Sequence, residues 1–369
     1  MKRIPIFKLN FEKKFQVKYK NLSNKVFNSK ALSEGYYVKK FEKNFSSLVN
    51  SKYSIAVSNG TAALEIAFRT INILNKEVIV PTNTFFATII AIIKAGGKPV
   101  FCDNKPDSPE MDIEEIKNKI TKKTKAICIV HVGGIISNDC SNIVKICKKK
   151  KIFLIEDAAE TLGQKIYNKN CGSFGDISTF SFYANKQITT GEGGMITTNN
   201  KIIYNKMLSL RNLSFGKINR FHHDDIGWNY RMTNIQATLG NSQLSRIKHI
   251  VKMRHTVGLR YYKNLRSNKN LFIPEPRKKF AKNIYWVIAI LITNKKIKLD
   301  ALKVMKKLKN LGIGTRPFFW PMNKQKILKK YKFKKDNYKN SEFISNYGFY
   351  LPTSLSLNNN QIDYICKQV

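Results

Sequence analysis

Residues 152–160, Ile152-Phe153-Leu154-Ile155-Glu156-Asp157-Ala158-Ala159-Glu160, join an apolar run directly to a group of acids. An apolar run that ends in acids reads as a strand with Asp157 at the carboxyl edge of its sheet, where ligands of open α/β sheets bind. The same two acids would serve equally as charge at the start of a following helix. Outward from this strand, from about residue 50, short β-branched runs alternate with longer helical patterns. Strands are predicted at 55–57, 78–80, 99–102, 126–130, 152–155, 177–180 and 195–198. Helices are predicted at 62–74, 86–95, 113–120, 141–150 and 202–210, with Gly96-Gly97 as a stop for the second. This alternation is the α/β rhythm: a seven-stranded, mostly parallel sheet with helices on both faces.

Beyond about residue 245 the pattern changes. A long helix is predicted over 233–265, then Pro274-Glu275-Pro276, a strand over 285–292, a helix over 300–311 and the turn-rich 312–317. The expected organisation is a large α/β domain, residues 1–245, and a smaller C-terminal α+β domain, residues 246–369.

The 369 residues carry 66 Lys and Arg against 24 Asp and Glu, a formal charge of +42. A hydrophobic share of 43% with 11% aromatics excludes disorder as the main state. The excess charge is mostly Lys in short runs (148–151, 278–279, 295–296, 306–307, 334–335) among abundant Asn and Ile, not one basic arm. A/T-rich codon usage accounts for that composition without any partner. A basic nucleic-acid-binding protein is the alternative from another class, and no nucleic-acid partner is expected. An anionic small substrate would be drawn in by such a field. The longest apolar stretches, 85–93 and 285–292, fall short of the ~20 residues that cross a bilayer. The first eight residues lack the apolar core of a secretory signal. A cytoplasmic protein with no membrane span is expected. The six cysteines form no C-x-x-C pair and the histidines show no ligand spacing, so reduced buried thiols and no metal are expected.

Three segments carry chemistry. Ser58-Asn59-Gly60-Thr61-Ala62-Ala63-Leu64 follows a predicted strand and opens a helix, where free amides and the Thr61 hydroxyl can converge on a phosphate; it also reads as a plain helix cap. The 152–160 segment contributes Asp157. The third runs Gly172-Ser173-Phe174-Gly175-Asp176-Ile177-Ser178-Thr179-Phe180-Ser181-Phe182-Tyr183-Ala184-Asn185-Lys186, then Thr189-Thr190-Gly191-Glu192-Gly193-Gly194. Lys186 follows an aromatic strand and precedes a Gly-rich turn, a setting in which an amine can be positioned for Schiff-base chemistry. A phosphate cradle, an acid for a pyridinium nitrogen and a lysine for an aldehyde are together what a pyridoxal 5′-phosphate enzyme requires.

With those segments, the chain resembles the sugar-nucleotide aminotransferases of the DegT/DnrJ/StrS family over about residues 35–352. The most specific stretches are 156–163, 172–194 and Gly227-Trp228-Asn229-Tyr230-Arg231-Met232-Thr233-Asn234-Ile235-Gln236-Ala237. The resemblance implies the aspartate-aminotransferase fold (fold type I of the pyridoxal-phosphate enzymes). It implies Lys186 as the Schiff-base lysine, Asp157 as partner of the ring nitrogen and Glu160 near the ring hydroxyl. It further implies Phe85 stacked on the ring, Gly60, Thr61 and Ser181 on the phosphate, and Asn229 donated to the phosphate by the neighbouring subunit of a homodimer. Arg316 falls in the family's substrate-facing region and would meet a carboxylate or diphosphate; a surface arginine in a Pro-bounded turn is the other reading. The aromatics beside it, Phe318, Phe319 and Trp320, are expected to be core rather than a stacking platform.

Within the family the sequence is most similar to the perosamine synthases. That implies transfer of an amino group from glutamate, leaving 2-oxoglutarate, to the C4 ketone of a GDP-linked 4-keto-6-deoxy sugar for a surface polysaccharide such as O-antigen. The same chemistry on a UDP- or dTDP-linked sugar, or at C3, is the alternative. In a few relatives a histidine replaces the lysine and a hydroxyl is removed instead, so Lys186 argues for transamination.

Overall fold

The 152–160 stretch lies at the centre of the molecule. In this computed structural model, residues 3–369 are described apart from 10, 107, 136, 138, 217, 295, 297–298, 332 and 334–335. Lys295, Lys334 and Lys335 of the predicted basic runs therefore lie outside the described residues. Strand Phe153–Asp157 is the middle member of a seven-stranded sheet. The order is Tyr53–Val57, Gly194–Thr198, Ile177–Ser181, Phe153–Asp157, Thr124–Val130, Glu77–Pro81 and Lys98–Cys102. All run parallel except Gly194–Thr198, which is antiparallel to both neighbours and pairs its first residue, Gly194, with Ser181 and with Val57. These are the seven predicted strands.

Both faces of the sheet are covered, and the pleat shows why. Val78, Val80, Ala126, Cys128 and Ile155 enter one core with Gly60–Thr70, Phe86–Lys94 and Lys201–Arg211. Their neighbours Ile79, Ile127 and Leu154 point the other way, into a core with Ile113–Lys119 and Cys140–Lys150. A strand wetted on neither face has no use for alternation, hence the continuous apolar runs. Each fully buried Ile or Leu contributes about 1.5–3 kcal/mol of transfer free energy.

A second, antiparallel sheet is formed by Leu271–Phe272, Ile288–Ile292, Gly348–Leu351 and Arg316–Pro317. Its core, Ile288, Ile290, Phe349 and Leu351, packs with residues of Ile247–Leu265, Ala301–Asn310 and Asn359–Gln368. Ile4, from the other end of the chain, joins that core and bridges to Ile313.

Several elements differ from expectation. The helix predicted over 233–265 is two helices, Asn234–Leu244 and Ile247–Leu265. The first is buried on nearly all sides, whereas the second buries only a stripe, and Arg246 at the junction is paired with Glu12 at 2.7 Å. The strand predicted over 285–292 begins only at Ile288, because Tyr285 has a φ of +49°. Helices Lys13–Ser29 and Tyr36–Val49 precede the α/β rhythm and were not predicted. Among the described residues no helix is long and apolar enough to cross a membrane. All six cysteines are free, and burial pushes their thiols up, Cys147 to about 12 and Cys366 to about 11.

Candidate active site

A cleft of about 630 Å³ opens at the carboxyl edge of the large sheet, where Arg316 and Phe319 face it from the second sheet's side. Every predicted site residue except Asn229 lines it.

The adjacent acids Glu156 and Asp157 end the same strand and point to opposite faces. Asp157 faces the cleft. It is 6% exposed, and its carboxylate accepts from Thr88 Oγ1 at 2.9 Å and from the Ala159 amide at 3.2 Å. Burial pushes its carboxyl up, opposed by those two donors and by the charge of Lys186. Glu156 points away and is fully buried. It accepts from the amides of Gly172, Phe174 (2.8 Å) and Gly175 (3.2 Å), from Ser178 Oγ (3.2 Å), and pairs with His131 Nε2 at 2.9 Å. Burial alone would raise Glu156, but the His131 contact and the Gly172 and Phe174 amides outweigh it and hold this carboxyl below its usual value. His131, Glu156 and Cys171 bring ligand-type atoms within 4.8 Å of one another. The oxygens of Glu156 are occupied by N–H and O–H donors, and burial drives the Cys171 thiol far up. The cluster is a hydrogen-bonded lock on the 172–175 loop.

Lys186 stands on the excursion between Ile177–Ser181 and Gly194–Thr198. Its side chain is 11% exposed, unlike a solvated surface lysine. Nζ lies 3.3 Å from Glu160 Oε1 and 4.1 Å from the centre of the Trp286 ring. Glu160 Oε2 also accepts the Gly133 amide at 2.7 Å. Burial raises the Glu160 carboxyl, and Lys186 and that amide oppose the rise.

Helix Gly60–Thr70 begins at the cleft, and both readings of its start hold at once. Asn59 caps it by accepting the Ala62 amide at 2.8 Å, which leaves the amides of Gly60 and Thr61 directed at the cleft. A Cβ on Gly60 would come within 2.9 Å of Ser181 Cβ, so glycine is what lets the Ser181 hydroxyl stand beside those amides. Phe85 precedes helix Phe86–Lys94 and is 58% exposed, a large ring left uncovered on the cleft wall. The aromatics after Arg316 divide: Phe318 is buried, Phe319 lines the cleft 5.8 Å from the Phe85 ring, and Trp320 is 53% exposed. Only Phe318 is the core residue that was expected of all three. Asn229 is exposed, bridged to Asn212, and lies off this cleft. Thr88, Trp286, Glu65 and Tyr230 also line or support the cleft and were not predicted; only the aromatic character of Trp286 and Tyr230 hinted at them.

An exposed ring on one wall, a helix start at Gly60 and Thr61, a buried carboxylate and a sheltered lysine suit a flat, phosphate-bearing aldehyde with a basic ring nitrogen. Residues 14–369 match the DegT/DnrJ/EryC1/StrS aminotransferase family. The chain belongs to that family. It is 36% identical over 371 residues to a GDP-perosamine synthase of Escherichia coli O157:H7, covering 100% of this chain and 98% of that protein. It is 35% identical to the GDP-perosamine synthase of Vibrio cholerae, covering 91% and 90%. Among solved structures it superposes on Helicobacter pylori PseC, an aminotransferase involved in pseudoaminic acid biosynthesis, with a TM-score of 0.91 and 26% identity, covering 100% of this chain and 98% of that one. The fold is that of the pyridoxal-phosphate-dependent aminotransferases. The enzyme is a sugar aminotransferase, and its cofactor is pyridoxal 5′-phosphate.

Proposed function

We propose that the enzyme moves the amino group of glutamate to the C4 ketone of a GDP-linked 4-keto-6-deoxy sugar; its similarity to proteins named GDP-perosamine synthase supports this reading. The observation that carries the catalytic assignment is the convergence of Lys186, Asp157, Glu160, Phe85, Gly60, Thr61 and Ser181 on one cleft. Lys186 would hold the aldehyde carbon, Asp157 the ring nitrogen, and Phe85 the ring face. Glu160 would lie by the ring hydroxyl, and Gly60, Thr61 and Ser181 would hold the phosphate. When bound, the cofactor supplies an electron sink for charge developing at a carbon attached to nitrogen. The chain's own residues do the rest.

Asp157, buried and accepting from Thr88 and the Ala159 amide, would compensate a positive ring nitrogen. Lys186 Nζ takes the proton from Cα of the donor as general base, and in the second half-reaction returns a proton to C4 of the sugar. Arg316, which lines the cleft from the second sheet's side, would pair with the donor carboxylate or the sugar's diphosphate. Asn229, exposed and off its own cleft, is available to a neighbouring copy, in keeping with a homodimer whose sites are shared. We also propose the division into residues 1–245 and 246–369, supported by the second sheet's own core, with Met322, Leu328 and Tyr338 of the second part reaching back into the core of the first sheet, and a cytoplasmic role in surface polysaccharide synthesis.

The test is to load the enzyme with the amino form of its cofactor and add GDP-, UDP- and dTDP-linked 4-keto and 3-keto sugars one at a time. The GDP-linked 4-keto sugar should restore the visible spectrum of the aldehyde form fastest by kcat/KM. Preference for a UDP- or dTDP-linked sugar would reject the substrate assignment while leaving the transaminase chemistry standing.

A further inference from the structure

Lys186 Nζ has two neighbours of different kinds. Glu160 accepts a hydrogen bond from it, whereas the Trp286 face, 4.1 Å away, attracts a cation without accepting a proton or occupying a lone pair. A protonated amine resting on a ring is held in place, and leaves the ring as it gives up its proton to react.

The surroundings of Trp286 fix that ring. Its Nε1–H donates to the carbonyl of Asn185, the residue immediately before the lysine, at 3.1 Å, so one side chain grips both the backbone and the tip of the lysine. The Trp286 carbonyl accepts from Arg254 Nη1 at 3.0 Å. Arg254 is buried and, among the described residues, paired with no acid; burial lowers it to about 10, and its Nε has no partner among those residues. Tyr285, just before, sits at φ +49°, secured by Asn283 Oδ1 on its amide (2.8 Å) and by its own hydroxyl on the Pro274 carbonyl (2.7 Å). Opposite stands Gly134 at φ +77°, where a Cβ would lie 3.1 Å from Trp286 Cβ. A left-handed tyrosine, a buried cation and a bare glycine are each unfavourable on their own, and such features persist where surrounding structure over-determines a functional position.

We infer that Trp286 is a positioning residue for Lys186: its ring face seats the amine whenever it is not bonded to the cofactor and keeps it aimed at the cleft. The inference rests on the assignment of Lys186 above. It is tested on the full chain freed of cofactor, by the rate at which a small acylating reagent modifies Lys186, read by peptide mass spectrometry. Trp286→Phe and Trp286→Leu both lose the indole N–H, so their difference isolates the ring face. Trp286→Leu should label about tenfold faster than wild type and Trp286→Phe within about twofold of it. In the loaded enzyme Trp286→Leu should lower kcat by a similar factor with KM for the sugar nucleotide little changed, and Trp286→Phe should restore most of it. If Trp286→Leu fails to fold, Trp286→Met, of similar volume and without a ring, takes its place with the same expectation. Equal labelling rates in the Phe and ring-free variants would overturn the inference. Borohydride reduction of the loaded wild type that fixes the cofactor on a lysine other than 186 would instead overturn the assignment on which it rests.

Discussion

Glu156→Gln is a one-atom change with a large expected cost. The carboxylate of Glu156 is fully buried and receives three backbone amides, the Ser178 hydroxyl and His131. Glutamine retains one oxygen but turns an NH₂ toward groups that are themselves donors, leaving at least one buried amide without an acceptor and removing the charge from the bonds that remain. Leaving a buried donor without its ionised acceptor in this way costs about 1–3 kcal/mol. Urea unfolding followed by far-UV circular dichroism should show the midpoint falling at unchanged slope. The pH dependence supplies a second check. The folded-state carboxyl is held below its usual value of 4.5, so its stabilisation is complete above that value and is lost as pH falls through the lower folded value. The gap between wild type and variant should therefore be constant from neutral pH down to about 5 and narrow below 4.5. A cost under about 1 kcal/mol, or a gap that does not close in acid, would refute the view that this carboxylate anchors the 172–175 loop in ionised form.

Other expectations concern the cleft. Lys186→Ala should abolish both turnover and the visible absorbance of the bound cofactor, measured by spectrophotometry on purified protein. Asp157→Asn should keep the cofactor but slow the proton shift by at least about a hundredfold in single-turnover measurements, because a neutral amide no longer favours a protonated ring nitrogen. Arg316→Ala should raise KM for the donor or for the sugar nucleotide by roughly tenfold with kcat nearly unchanged; which of the two moves identifies the anion it meets. Mixing Lys186→Ala with Asn229→Ala subunits after partial denaturation should recover about a quarter of wild-type activity if sites are shared across a dimer, since half the dimers would hold one intact site. No recovery would mean that Asn229 serves its own chain, whereas Asn229→Ala dimers that keep full activity by themselves would mean that it serves neither.

The strands and the cleft were legible because burial on both faces leaves a mark no other element shares: uninterrupted β-branched runs such as those around Ile79, Ile127 and Ile155. Asp157 and Lys186 were legible because each ends or follows such a run. Helix Lys13–Ser29 was not, since it buries only Phe15 and Val26 and presents lysine and asparagine elsewhere. The break at Ser245-Arg246 carries neither glycine nor proline: Leu244 and Ile247 on either side of it pack in one core, and only the far half of the second helix, with Tyr261 and Leu265, reaches the core of the second sheet. The roles of Thr88 and Trp286 depend on contacts between residues 69 and 101 positions apart, and no local pattern encodes those. Reading Phe318, Phe319 and Trp320 as one group missed that a single turn distributes them among core, cleft and solvent.

The reversed strand Gly194–Thr198 has a consequence for how such an enzyme can diversify. Because it runs against its neighbours, the chain leaves the sheet at Ser181 and re-enters it at Gly194 on the same rung, with Phe182 N–H also bonded to the Gly193 carbonyl at 2.8 Å. The lysine thus hangs on a buckle fastened at both ends. At the fastening, a Cβ on Gly194 would meet the Asn59 carbonyl at 2.5 Å, hard against the start of helix Gly60–Thr70. Lengthening or shortening this buckle would shift amine and anion seat together, so a lineage altering its sugar has room to do so only across the cleft, on the wall that carries Arg316.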